Sequence, residues 1–262
     1  MYSISIFECY IYIGDHQQLR PSVAVHQLAR EFALDVSLFE RLIKNGMEHS
    51  TLNIQHRMRP EIATLIVPLI YPQLENHSSV LTYPNVRGMA NNVFFLAHNE
   101  HERPDSDGKS HLNPYEAELS LVLAGHLIKQ GYEPHQITIL TTYSGQLLHF
   151  WKIRNGHPTV RFVRICVVDN FQGEENDIII LSLVRSNPDD NIGFLRIENR
   201  ICVALSRAKQ GFFIIGNMQS LQGKSKLWNG ISRILESNNQ IGSSFNLKCE
   251  NHDVVIKVTY IT

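Results

Sequence analysis

The chain has no pair of cysteines at metal-binding or redox spacing. Its four cysteines, Cys9, Cys166, Cys202 and Cys249, stand far apart with no C-x-x-C among them. That usage suits free thiols in a reducing compartment and argues against a disulfide framework. Long apolar runs are missing too, since nothing approaches the roughly 18 residues that a membrane-spanning helix needs. The opening stretch, Met1 to Tyr10, carries Glu8 and no basic segment ahead of its apolar residues, unlike a secretory leader. A soluble, cytoplasmic protein is expected, with the nucleus as the alternative, and no membrane span. Neither sign of charge dominates, because the formal net charge is −1 over 262 residues. A generally basic, polyanion-coating chain is therefore excluded, and any contact with nucleic acid must come from a local groove.

What is present is ordinary globular material, 43% hydrophobic and 19% charged, enough for one sizeable core with attached fragments. The apolar run Ile4 to Ile13 ends at Gly14-Asp15 and suits a buried strand feeding a loop. Helical spacing marks the segment from Ser37 to Ile43, and again Pro60 to Tyr71, with Pro60 fitted to a first turn. Strands are expected at Val93 to Ala97 and Ile137 to Thr141, flanking a long helix from about Pro114 to Gln130 that Gly131 stops. The alternation continues with a helix near Gln146 to Arg154, strands at Phe162 to Val168 and Ile178 to Val184, a helix near Glu198 to Lys209 and a strand at Phe212 to Ile215. Strand and helix in turn predict an α/β fold, a three-layer sandwich on a mostly parallel sheet. The polar segment His98 to Asn113 reads as a surface excursion. A helix near Leu227 to Ser237 and an alternating run from Val254 to Tyr260, suited to an edge strand, close the sequence.

Four polar motifs interrupt these apolar elements. Gly14-Asp15-His16-Gln17-Gln18-Leu19 follows the first expected strand, which puts its side chains where α/β proteins bind ligands. Gln55-His56-Arg57-Met58-Arg59-Pro60 sets an arginine just ahead of a helix, where it could meet a phosphate with a planar fork, although taken alone a surface salt bridge is the commoner use of such a residue. Asp169-Asn170-Phe171-Gln172-Gly173-Glu174-Glu175-Asn176-Asp177 sits between two strands, and Gly173 would let backbone amides approach an anion or ribose. Asn199 to Lys209 reads as a helix whose Arg200, Ser206 and Arg207 leave its apolar face. Arginines delivered across a cleft stabilise charge in phosphoryl transfer.

In this order and spacing the four motifs resemble motifs III to VI of superfamily 1 helicases, in the up-frameshift-like branch that acts mostly on RNA. The likeness covers about Ile11 to Leu221. The tail, with Leu227-Trp228-Asn229 and Leu247 to His252, further resembles the stretch ahead of the zinc-finger array in NFX-type zinc-finger-containing helicases. The resemblance implies a RecA-like fold of the P-loop NTPase type: residues 1–53 as the end of a first such domain, 54–222 as a second, and 223–262 as an extension. It also implies that Gln18 senses a γ-phosphate, that Arg57 and Arg207 supply positive charge to it, and that Gln55, Gly173 and Glu174 line the nucleotide cleft. Where the family carries a tyrosine that stacks on adenine, this chain has His56, a smaller ring. Thr142, Tyr143, Ser144 and Gln146, then Ser182 and Arg185, match the family's single-strand-binding positions. A helix cap explains a serine or threonine after a strand as well.

A complete ATPase of this kind needs G-x-x-x-x-G-K-[ST] and an acidic pair for magnesium. Gly108-Lys109-Ser110 has Arg103 at the first glycine position, and Gly223-Lys224-Ser225 has Met218 there. Asp169 is followed by Asn170, not by a second acid. The resemblance therefore implies ATP and Mg2+ only in a complete enzyme, a missing first RecA-like domain as partner, and single-stranded RNA as ligand. DNA as the ligand, or a noncatalytic binding fragment, are the alternatives. Cys249-x-x-His252 supplies two ligands where zinc takes four, so no metal site is expected.

Overall fold

A computed structural model describes residues 11–21, 23, 26–249, 252 and 254–258, and its contacts divide the chain into two units, Met1–Thr51 and Leu52–Thr262. The expected strand from Ile4 to Ile13 falls mostly outside the described residues, and Ile11 to Ile13 form no regular element. In the first unit, helices α1 (His26–Phe32) and α2 (Leu38–Lys44) follow the Gly14-Asp15 loop. The Ser37 hydroxyl caps α2 by accepting from the Glu40 amide, which satisfies one of the helix's orphan donors. Glu40 is nearly buried and takes Arg20 at 2.8 Å and Lys44 at 2.7 Å.

The second unit begins with β1 (Ile54–Gln55), α3 (Pro60–Ala63) and β2 (Glu75–Asn76), β1 and β2 pairing in parallel. The helix expected from Pro60 to Tyr71 ends after one turn. Pro68 offers no backbone donor, and the segment continues as successive turns. Then come β3 (Val93–Ala97), the small hairpin β4 (Arg103–Pro104) and β5 (His111–Leu112), α4 (Pro114–Lys129), β6 (Ile137–Thr141), α5 (Ser144–Ile153), β7 (Arg164–Val167), β8 (Asn176–Ser182), α6 (Glu198–Leu205) and β9 (Ala208–Gly216). The chain continues through α7 (Met218–Lys224), α8 (Lys226–Ser237) and β10 (Ile241–Gly242) to an antiparallel ribbon of β11 (Phe245–Cys249) and β12 (Val254–Val258).

The central sheet runs β10-β3-β9-β8-β6-β7, and every pair in it is parallel. A parallel sheet must be covered on both faces. Alternate residues show that it is: Ile137, Ile139, Ile178, Ile180, Phe213 and Ile215 pack with Leu121, Leu123 and Leu127 of α4 and Phe150 of α5, while Leu140, Ile179, Leu181, Phe212 and Ile214 between them are buried as well. The expected α/β class and parallel sheet are thus found. Helix α4 ends as anticipated, with Gly131 in the left-handed region at φ 91°. Two glycine-lysine-serine decoys fall where no phosphate loop can form: Gly108 to Ser110 in the hairpin turn, and Gly223-Lys224 at the end of α7.

A second helix also ends earlier than expected. Helix α6 stops at Leu205, because Ala208 to Gln210 already pair or align with β8 as the start of β9. Ser206 and Arg207 therefore occupy a turn, and Arg207 is buried at 1% exposure instead of leaving an apolar face. The alternating run near the C-terminus forms a strand, β12, as expected, paired with β11 in a two-stranded ribbon.

Candidate functional site

The turn before β9 and the loop before β8 lie side by side, since Asn176 pairs with Ala208 at the amino ends of these strands. Arg207 fills this corner. Its guanidinium donates to the carbonyls of Val203 at 3.0 Å and Glu174 at 3.3 Å and to the Ser206 hydroxyl at 2.6 Å. Burial, and then the charge of nearby Arg57, lower its pKa to about 10. Arg57 reaches the same corner from the β1 to α3 connection and donates to the Ser206 carbonyl at 3.1 Å. Its position is fixed by Gln55, whose side-chain oxygen accepts from the amides of Arg57 at 2.9 Å and Met58 at 2.7 Å while its amide donates to Asn76 at 2.6 Å. Two arginines far apart in sequence are thus brought together, with the like-charge cost that this implies.

Glu175 offsets that cost. Its carboxylate bridges Arg57 at 2.5 Å and Lys209 at 3.0 Å. The carboxylate of Glu174 points elsewhere, to a bidentate pair with Arg164 in which one bond is 2.7 Å; only the Glu174 carbonyl belongs to the arginine corner. Sequence reasoning passed over Glu175 and Lys209, although the doubled acid after Gly173 was the available signal. Gly173 sits in the left-handed region at φ 82° with open space where a side chain would be. His56 is exposed and stacks on His77, ring centroids 4.0 Å apart and 30° between planes. Gln18 lies in the first unit, where its side-chain amide donates to Asp15 at 2.8 Å.

Burial raises the Glu175 pKa, but the hydrogen bonds from Arg57 and Lys209 outweigh it and leave the carboxyl below its ordinary value. A depressed folded-state pKa contributes stability above the unfolded value and loses it as pH falls through the folded one. Melting curves of wild type and Glu175→Gln should therefore differ modestly above about pH 5 and converge below about pH 4. A difference that persists in acid would show that the Glu175 bridge is not what holds Arg57.

The second group of expected residues lies at the other, carboxyl edge of the same strands. Ser182 ends β8 and Thr142 follows β6, its hydroxyl donating to the Leu183 carbonyl at 3.0 Å. Of the six, Ser144 alone is exposed, 3.3 Å from the Ser110 hydroxyl. Gln146 and Ser182 are fully buried and bonded to each other at 3.0 Å, so neither stands at the surface. The hydroxyl of Tyr143, nearly buried, accepts from the Phe194 amide at 3.2 Å. The hub is Glu116 of α4, which no sequence motif announced. Its carboxylate accepts from Ser182 at 2.6 Å and the Val184 amide at 2.8 Å and faces His98 at 3.1 Å. Arg185 lies against Glu102 at 3.0 Å.

A profile of the AAA domain family covers residues 34–219. The chain belongs to that family, within the up-frameshift-like superfamily 1 helicases. It is 55% identical over 244 residues to the NFX1-type zinc finger-containing protein 1 of Mus musculus, covering 92% of this chain and 13% of that protein. It is 40% identical to the helicase required for RNAi-mediated heterochromatin assembly 1 of Schizosaccharomyces pombe, over 83% of this chain and 22% of that protein. It is 37% identical to the ATP-dependent helicase NAM7 of Saccharomyces cerevisiae, over 84% and 24% respectively. The chain thus spans about an eighth of the NFX1-type relative's length. The fold is that of a RecA-like helicase domain of the P-loop NTPase type. Among the described residues no group of three or more His, Cys, Asp or Glu could hold a metal ion, and no helix is long and apolar enough to cross a membrane.

Proposed function

We propose that this chain supplies one side of the ATP site of an RNA helicase, together with part of its single-strand-binding surface. The meeting of Arg57 and Arg207 in one corner carries this reading. Two guanidiniums brought together, one of them bridged by Glu175, suit an anion of high charge density. Their neighbour Gly173 leaves backbone accessible, and His56 with His77 presents a two-ring platform on which a base can stack. Gln18, in the first unit, is given by the same reading its own role, reporting loss of the γ-phosphate. The triphosphate, its magnesium and the attacking water are held by a Walker-bearing half outside these residues, because no G-x-x-x-x-G-K-[ST] occurs within them. Arginines accelerate phosphoryl transfer only when the reactants are already in line.

At the opposite edge, Ser144 and Thr142 meet the phosphodiester backbone directly, while Gln146 and Ser182 shape the surface from behind. Two measurements test the proposal. Fluorescence anisotropy of a labelled single-stranded RNA should show saturable binding that weakens with salt and is displaced by unlabelled RNA better than by DNA of the same sequence. Phosphate release by the 262-residue chain with ATP, magnesium and RNA should stay at background. Robust RNA-stimulated turnover, or no saturable RNA binding, would overturn the proposal; equal displacement by DNA would replace RNA with DNA as the strand.

A further inference from the structure

The loop after β8, Leu183 to Asn187, is held at its start by Thr142, Ile215 and Glu116 and further along, at Ser186 and Asn187, by one distant segment around Glu102. The Glu102 amide donates to the Ser186 carbonyl at 2.9 Å, and the Glu102 carboxylate accepts in return from the Ser186 amide and from the Asn187 side chain at 3.2 Å. The same carboxylate lies 3.0 Å from Arg185 Nε and 3.5 Å from His111 Nδ1. Arg185 Nε has no aligned hydrogen-bond acceptor, so its contact with Glu102 is one of charge. Both side chains are nearly buried, at 7% and 6% exposure. Asn113 adds a bond to the Val184 carbonyl at 3.4 Å and another to the Glu100 carbonyl at 3.0 Å. Val184 itself is held at φ 73°, a left-handed conformation that a β-branched residue adopts only when its surroundings impose it.

These contacts define what the polar excursion does. We infer that Glu102 is a positioning residue for strand binding: it fixes the backbone of Ser186, the side chain of Asn187 and the aim of Arg185, so that this part of the loop meets the phosphodiester backbone of a single strand preorganised. The inference rests on the proposed function of the carboxyl edge. The chemistry specifies a carboxylate. Ser186 N–H and the Asn187 amide donate to the carboxylate, and its negative charge faces the Arg185 guanidinium at the same time. Glutamine at this position offers one acceptor and turns an N–H2 group against the remaining donors. Glu118, exposed on α4 and paired with His157 at 3.0 Å, serves as a control on the same helix layer.

The test uses the full 262-residue chain as wild type, Glu102→Gln and Glu118→Gln. Amide hydrogen exchange, read without nucleic acid, should show the Ser186 amide exchanging at least about tenfold faster in Glu102→Gln, the factor that one lost buried hydrogen bond corresponds to. The β8 amides from Ile178 to Leu181 should be unchanged. Anisotropy with labelled single-stranded RNA should show a Kd raised roughly tenfold in Glu102→Gln, while Glu118→Gln matches wild type and binding of a fluorescent ATP analogue is the same in all three. Unchanged Ser186 protection overturns the inference whatever the RNA result. Faster exchange with unchanged RNA affinity also overturns it, since the loop would then be ordered for another reason. Parallel loss of β8 protection, RNA binding and nucleotide binding would mean general destabilisation and reject a positioning role. If the wild-type chain binds neither single-stranded RNA nor DNA, the proposed function itself falls, and the exchange measurement still reports separately on whether Glu102 orders the loop.

Discussion

Arg207→Ala, placed in a protein that joins this chain to a Walker-bearing half, should lower nucleic-acid-stimulated ATP turnover by on the order of 10³-fold, the scale of an arginine that stabilises charge in phosphoryl transfer. Substrate affinity should change far less, because charge on the transferring phosphoryl group develops mainly in the transition state. Arg207→Lys should recover little. The native guanidinium spreads its donors over the Val203 and Glu174 carbonyls and the Ser206 hydroxyl, a planar fork that a single ammonium cannot reproduce. Steady-state phosphate release at saturating RNA gives kcat directly. A loss below about tenfold would make Arg207 a packing element of the turn between α6 and β9, not a catalytic one.

The largest stability effect is expected at Glu116. The side chain is fully buried, and Ser182, Val184 and His98 converge on it. Glu116→Ala leaves those donors without a partner in the interior and should cost about 3–5 kcal/mol. For a domain of this size that corresponds to a Tm lower by roughly 10 °C. Glu116→Gln should lie between the two. His98 Nδ1 already accepts from the Glu100 amide at 3.1 Å, so Nε2 carries the proton, and a glutamine N–H2 group clashes with it or with the Val184 amide. Thermal unfolding by circular dichroism measures both variants. A Tm unchanged within a degree or two would place Glu116 outside the stabilising network.

How much of this could be read from the residues depended on whether neighbours in sequence were also neighbours in space. The borders of β3, β6 and α4 were legible because each is set locally, by an apolar run or by a proline at one end and a glycine after the other. The meeting of Arg57 with Arg207 followed from motif order. The end of α6 was not legible: Ala208, Lys209 and Gln210 suit a helix by propensity, and the decision for strand comes from pairing with β8. Helical spacing from Pro60 to Tyr71 did not reveal the early end of α3, because Pro68 in the middle of the segment supplies no backbone donor. At the carboxyl edge the motif polar residues looked exposed because polar residues usually are. Gln146 and Ser182 are buried because Glu116 of α4 and Asn113, the last residue of a segment that looked like a bare surface loop, complete their hydrogen bonds.

Strand β8 has its first residue beside the arginine corner and its last in the Glu116 network, with β6 and β9 bonded along its two sides. Seven residues of strand measure about 20 Å. Flanked in this way it does not stretch or fold, so nothing that happens at one end reaches the other as a local distortion. It behaves as a lever arm. A tilt of about 10° about one end sweeps the other through roughly 3.5 Å, close to the rise of one strand residue, and the whole sheet turns with it. Motion in such a body is a rotation of the intact domain, and its hinge must be sought in the chain outside the sheet.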